Sequence, residues 1–114
     1  MKKFIKGFGY AFKGITFSLA DQLNMKVHIV AAVIAISAGF FFSITIPHWC
    51  AIVLCIAIVL GFEMINTALE NLVDLVTLEQ RPQAGKVKDI AAGAVLIVSI
   101  GAAVVGVLIF SQYL

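Results

Sequence analysis

Residues 90–110 form a run of 21 residues without one charged side chain, and this run constrains the chain more than any other feature. A helix needs roughly 20 apolar residues to cross the hydrocarbon core of a bilayer. Residues 27–46 make a second such run, in which His28 is the one titratable group. A third, residues 49–62, is wholly apolar but short. It spans a bilayer only if its helix continues to residue 76, through a polar stretch. Backbone polar groups in hydrocarbon must be paired within the protein, so such runs fold as helices. Composition agrees, with 62% of residues hydrophobic and 12% charged. That is about half the charge of an ordinary soluble domain. The expectation is one all-α integral membrane domain over 114 residues.

The predicted organisation is an interfacial helix over 1–26, spans at 27–46, 49–76 and 88–110, and a loop over 77–87. In the first segment Phe4, Phe8, Phe12, Ile15 and Leu19 recur at helical steps, with Lys6 and Lys13 away from them. Such a basic amphipathic helix lies in the membrane interface. Its apolar residues are spaced rather than contiguous, and no small-residue cleavage site follows, which argues against a signal peptide.

Lys2, Lys3, Lys6, Lys13 and Lys26 precede the first span, and Arg81, Lys86 and Lys88 lie between the second and third. The turn near Pro47 and the tail after Phe110 carry no lysine or arginine. The positive-inside rule therefore puts the N-terminus and the second loop in the cytoplasm and the C-terminus outside. A net charge of +2 is too small to suggest nucleic acid as a partner. Cys50 and Cys55 are about 140° apart on one helix, so they neither pair nor form a metal motif.

The polar stretch of the second span carries the chemistry. Glu63, Asn66, Glu70 and Asp74 follow at i, i+3, i+7 and i+11. They share an arc of about 80° and about 16 Å of helix. Carboxylates that enter a membrane segment are costly, so their default reading is functional. Across the loop, Lys86 and Lys88 precede the third span, where a helix N-terminus favours phosphate. Residues 83–87 are not a P-loop, because the first glycine is missing and Val87 replaces the required hydroxyl.

Carboxylates, an amide and lysines at one membrane edge suit magnesium-nucleotide chemistry. Glu70 and Asp74 are candidates for Mg²⁺. Lys88 is a candidate for neutralising a transferring phosphoryl group. Glu63, the deepest, is the candidate general base. Two other readings stand beside this one. A stripe that only packs helices fits Asn66 better than it fits three carboxylates. A proton or ion path uses buried carboxylates but leaves Lys86 and Lys88 unexplained.

Three blocks carry a resemblance to a known family: Gly9-Tyr10-Ala11-Phe12-Lys13-Gly14, the run from Glu63 to Asp74, and Lys86-Val87-Lys88-Asp89 with the small residues that follow. Together they resemble the prokaryotic diacylglycerol kinases. The resemblance implies a homotrimer with three membrane helices and a surface helix, in the bacterial cytoplasmic membrane. It implies transfer of the γ-phosphate of MgATP to diacylglycerol or, in one branch, to undecaprenol, at sites between subunits. By resemblance Glu63 is the base, with Asn66 beside it, and Glu70 is a metal ligand. Asp74 faces the nucleotide, Lys88 meets the phosphates and Asp89 holds the nucleoside. Lys3, Tyr10 and Ala11 match positions near the nucleotide.

One departure concerns the metal. The family has a second glutamate before the first span, and Gln22 stands at that position. Its oxygen can ligate Mg²⁺ but carries no charge. Asp21 points about 100° away on a helix and is no automatic substitute. Asn24 and His28 match an Asn-x-x-x-His run of the undecaprenol branch, although His28 is also expected to snorkel to the headgroups. A non-enzymatic membrane protein is the alternative class.

Overall fold

The computed structural model describes residues 1–114, except for the side chain of Asp21, so the expectation about that side chain's direction lies outside the described residues. Every regular element described is an α-helix: α1 (Lys2–Asp21), α2 (Leu23–Phe42), α3 (Ile46–Val76) and α4 (Pro82–Phe110). The last three are long and apolar enough to cross a membrane. At 1.5 Å per residue α2 is about 30 Å long, α3 about 46 Å and α4 about 44 Å. The α3–α4 pair therefore overhangs a hydrocarbon core of roughly 30 Å, and the overhang carries the polar residues.

The helix boundaries depart from the apolar runs for local reasons. Gln22 is extended (φ −108°, ψ 118°), which ends α1 at Asp21 and starts α2 at Leu23 rather than after Lys26. Pro47 lies in the first turn of α3, and Pro82 opens α4. Proline is pre-shaped for a helix start, where its missing N–H costs nothing. Hence α3 begins before Trp49, and α4 begins six residues before Lys88.

Helix α2 closes through Ser43, which takes a left-handed conformation (φ 51°, ψ 54°). The Ile44 N–H donates to the Gly39 carbonyl at 3.1 Å, and the Ser43 N–H donates to the Phe40 carbonyl at 3.2 Å. These two bonds form a Schellman closure. Gly39 also admits the Trp49 ring, since a Cβ there would lie 2.5 Å from its Cη2. Trp49 packs on Phe40 at the same corner, with ring centroids 4.9 Å apart.

Ile44, Ile52 and Ile109 form the apolar core at this end of the bundle, flanked by Phe42, Trp49 and Phe110. The chain end is tied in as well. The Thr45 N–H donates to the Tyr113 hydroxyl at 3.1 Å, and His48 Nδ1 lies 2.7 Å from the same oxygen. Along α3 the buried residues are Ile52, Val59, Glu63, Asn66 and Thr67, one face that changes from apolar to polar. Helix α4 packs along α3 and buries Ala91, Val95 and Ile109. Helix α1 stands largely apart, with Phe4, Phe8 and Phe12 more than half exposed and Ser18 buried.

The corner yields a paired prediction. Ser43→Gly relieves the left-handed residue and is expected to raise unfolding free energy by about 1 kcal/mol. Gly39→Val drives a side chain into Trp49 and is expected to lower it by about 1–3 kcal/mol. Equilibrium unfolding in detergent micelles measures both, and equal effects of one sign would contradict this account.

Candidate active site

The stripe on α3 becomes steadily more exposed from Glu63 towards Val76. Glu63 is 1% exposed, Asn66 is buried, Glu70 is half-buried and Asp74 is exposed. The gradient follows from the overhang, because α2 begins at Leu23, five residues before the His28 that meets Glu63, and α3 runs on past its cover. Helical spacing sets the shared face, and the lengths of the neighbouring helices set the depth of each residue on it.

Each polar residue on the stripe has at least one side-chain contact. Asn66 Nδ2 donates to Glu70 Oε1 at 2.9 Å, a bond between consecutive turns. Lys88 Nζ donates to Asp74 Oδ1 at 2.8 Å and joins α4 to α3. Thr67 Oγ1 donates to the Glu63 carbonyl at 3.1 Å and leaves the Glu63 carboxylate untouched. That carboxylate meets α2 instead, with Oε2 lying 3.4 Å from His28 Nε2. The expectation that His28 snorkels to the headgroups is therefore not met. Its imidazole turns into the bundle, its side chain only 20% exposed.

Two buried polar atoms are left over among the described residues, Asn66 Oδ1 on the stripe and Ser99 Oγ on α4. Asn66 Oδ1 has no hydrogen-bond partner among the described residues. A buried unpaired carbonyl costs about 1–3 kcal/mol, so its retention calls for an explanation outside folding.

The other expected residues lie nearer water. Gln22 occupies the break between α1 and α2, and its side chain caps neither helix. Asp89, Lys86, Lys3, Tyr10 and Ala11 are exposed. Lys13 Nζ stands 5.7 Å from the centre of the Tyr10 ring. Asp74 and Lys88 border a cleft of about 410 Å³ that Arg81 and Glu79 also line. The chain thus joins Asn66 to Glu70 and Asp74 to Lys88, whereas Lys3, Tyr10 and Ala11 remain on the outlying α1.

An apolar groove of about 580 Å³ runs from His28 past Ala35, Val59 and Gly106 to Leu114. Its His28 end lies one helical turn of α3 from Glu63, at Val59. A hydrocarbon-lined groove beside a carboxylate, and a polar cleft further along the same helix, suit a substrate with a long apolar tail and a phosphate donor from water.

The family model for prokaryotic diacylglycerol kinase matches residues 9–110. The chain belongs to that family. It is 36% identical over 110 residues to the undecaprenol kinase of Bacillus subtilis, covering 96% of this chain and 89% of the relative. A diacylglycerol kinase of Synechocystis is 35% identical over 87% of this chain, which spans 57% of that relative. The diacylglycerol kinase of Escherichia coli K12 is 26% identical over 90% of this chain and 84% of its own length. As a member of the prokaryotic diacylglycerol kinase family this is a bacterial membrane protein and a lipid kinase, and a kinase requires a nucleotide co-substrate.

Sequence reasoning missed the contact between His28 and Glu63. The signal was present: His28 is the one titratable residue of the first apolar run, and ionisable groups at membrane depth pair with one another.

Asn66→Leu tests the orphaned acceptor. It removes the buried unpaired oxygen at similar volume and is expected to leave the melting temperature unchanged or higher. A loss of more than about 5 °C, roughly 1 kcal/mol for a domain of this size, would mean that the amide holds the fold.

Proposed function

We propose that this chain transfers the γ-phosphoryl group of MgATP to the hydroxyl of diacylglycerol, giving phosphatidic acid. The observation that carries this reading is the division of one helix between two environments. Glu63 is enclosed beside an apolar groove, while Asp74 and Lys88 stand at a water-facing cleft. A lipid alcohol reaches the first from the bilayer, and a nucleotide reaches the second from the cytosol.

In this mechanism the lipid oxygen attacks the γ-phosphorus, the bond to the β-phosphate oxygen breaks, and ADP leaves. Glu63 takes the hydroxyl proton. Asn66 stands next to Glu63 and holds Glu70 by its amide. Lys88 exchanges Asp74 for the phosphates and neutralises charge that develops on the transferring group. Asp74 and Asp89 serve the nucleotide side, with Lys3, Tyr10 and Ala11 of α1.

The residues present fit Mg²⁺. Asn66 engages one oxygen of Glu70 and leaves the other clear, and the amide of Gln22 caps no helix. Mg²⁺ takes one or two protein ligands and fills its shell from phosphate oxygens and water. Glu70 and Gln22 would hold it, and it supplies charge neutralisation on the phosphates. No larger acidic cluster exists among the described residues, as that coordination allows.

The same reading makes α1 a basic amphipathic helix in the membrane interface, places the N-terminus and the 77–87 loop in the cytoplasm, and puts the C-terminus outside. The working unit is a homotrimer with sites between subunits. A single chain supports this by leaving α1 and its nucleotide residues away from the stripe.

Undecaprenol is the second acceptor reading. The inward turn of His28 favours it, since the Asn24-x-x-x-His28 run matches that branch. Either lipid presents a primary hydroxyl, so the chemistry is common to both.

Protein in detergent micelles with MgATP and each lipid alcohol in turn tests the reading. Phosphatidic acid is the expected product, undecaprenyl phosphate assigns the branch, and no phosphorylated lipid leaves a non-enzymatic protein. Glu63→Gln is expected to slow transfer about 100-fold or more, and a rate within about tenfold of wild type overturns the base assignment. Gln22→Glu is expected to lower the Mg²⁺ concentration for half-maximal rate. An unchanged magnesium dependence removes Gln22 from the metal.

A further inference from the structure

The base proposed above is almost sealed. The side chain of Glu63 is 2% exposed, and among the described residues the one polar group within reach of its carboxylate is His28 Nε2, at 3.4 Å. Thr67 spends its hydroxyl on the Glu63 backbone carbonyl, and Asn66 spends its amide nitrogen on Glu70. Neither serves the Glu63 carboxylate.

A buried base faces a problem that an exposed one does not. After each transfer it holds the proton of the lipid hydroxyl, and it must lose that proton before the next turnover. Apolar side chains cannot accept it, and the one polar group against the carboxylate among the described residues is the imidazole. The side chain of His28 is 20% exposed, against 2% for Glu63, so His28 lies between the base and the surroundings. An imidazole can take a proton on one ring nitrogen and release one from the other.

The charged surroundings of the pair are simple. From α3 His28 faces Glu63, beyond which lie Glu70, held by Asn66, and Asp74, held by Lys88. No side chain of α1 makes an ion pair with His28 among the described residues. On α2 itself the nearest charge is Lys26, which is exposed.

We propose that His28 acts through Glu63 as a proton relay that resets the base after each transfer. This rests on the reading of Glu63 as the base. The lipid oxygen forms its bond to the γ-phosphorus as ADP departs, and its proton moves to Glu63 Oε2. That proton passes to His28 Nε2, and the imidazolium releases its Nδ1 proton to water at the membrane edge. Glu63 is then again a carboxylate and His28 is neutral as its Nε2–H tautomer, which a ring flip or proton exchange with water returns to the Nδ1–H form before the next turnover, so no other reactant is consumed.

The relay is distinguished from simple packing by what substitutes can do. In full-length protein in detergent micelles, His28→Gln keeps a hydrogen-bonding amide but cannot carry a proton. It is expected to lower kcat about 10-fold to 100-fold, with KM for ATP and for the lipid within about twofold of wild type. His28→Ala is expected to regain activity with added imidazole, more strongly with more basic substituted imidazoles. Wild-type kcat in His28→Gln overturns the proposal. So does rescue of His28→Ala that is absent, or the same for every imidazole whatever its basicity. Glu63→Gln is assayed in parallel. An inactive Glu63→Gln beside a fully active His28→Gln means that the relay alone has failed. An active Glu63→Gln means that the base reading has failed.

Discussion

The structure is organised around a carboxylate, Glu63, enclosed in a bundle whose outer faces suit hydrocarbon. A lone carboxylate in such surroundings is costly, and the arrangement answers that cost with packing on one side and a partner on the other. Helix α2 supplies the partner in His28. Helix α4 brings small side chains, among them the buried Ala91, which allow close approach to α3. The same burial that makes Glu63 expensive also keeps water from the hydroxyl it is proposed to activate, where water would compete for the phosphoryl group.

The two ends of α3 divide structural and functional duties. At the Ile46 end the isoleucine core, the Trp49–Gly39 contact and the Tyr113 hydroxyl tie three segments of chain together. There the Tyr113 hydroxyl gathers the Thr45 N–H and His48 Nδ1 into one small network. At the Val76 end the polar atoms are incompletely satisfied: among the described residues Asn66 Oδ1 has no partner, and Glu70 engages through one oxygen. A rigid end and an under-satisfied end on one continuous helix let packing at the first fix positions at the second. Preorganisation of that kind keeps the site from having to order itself when substrate arrives.

Much of this was legible in the sequence, because periodicity and length are local properties. The 90–110 run, the four-residue stripe on α3 and the lysines of the second loop needed no tertiary information. Helix ends were less legible. The break at Gln22 has no glycine or proline to announce it, and the starts at Pro47 and Pro82 extend helices beyond their apolar runs. The contact of His28 with Glu63 depends on how α2 is rotated against α3, which no single-helix pattern encodes. The orphaned Asn66 acceptor was likewise invisible, since burial without a partner is a property of the whole packing.

The exposure gradient along the stripe bears on how one chain handles two substrates from different phases. A base must be dry, and phosphate ligands must be reachable from water, so the two cannot lie at the same depth. Helix α3 meets both demands by outrunning α2, which covers Glu63 and leaves Asp74 open to pair with Lys88. The proposed metal ligand Glu70 falls between them, half-buried, at the level where a phosphoryl group would pass from one environment to the other. The nucleotide residues proposed on α1 stand apart from this line, as expected if a single chain completes the base and a neighbour helps complete the donor side. Length, more than any single residue, therefore sets the proposed chemistry: a shorter α3 would carry the same stripe into hydrocarbon, out of reach of the nucleotide that Asp74 and Lys88 are proposed to meet.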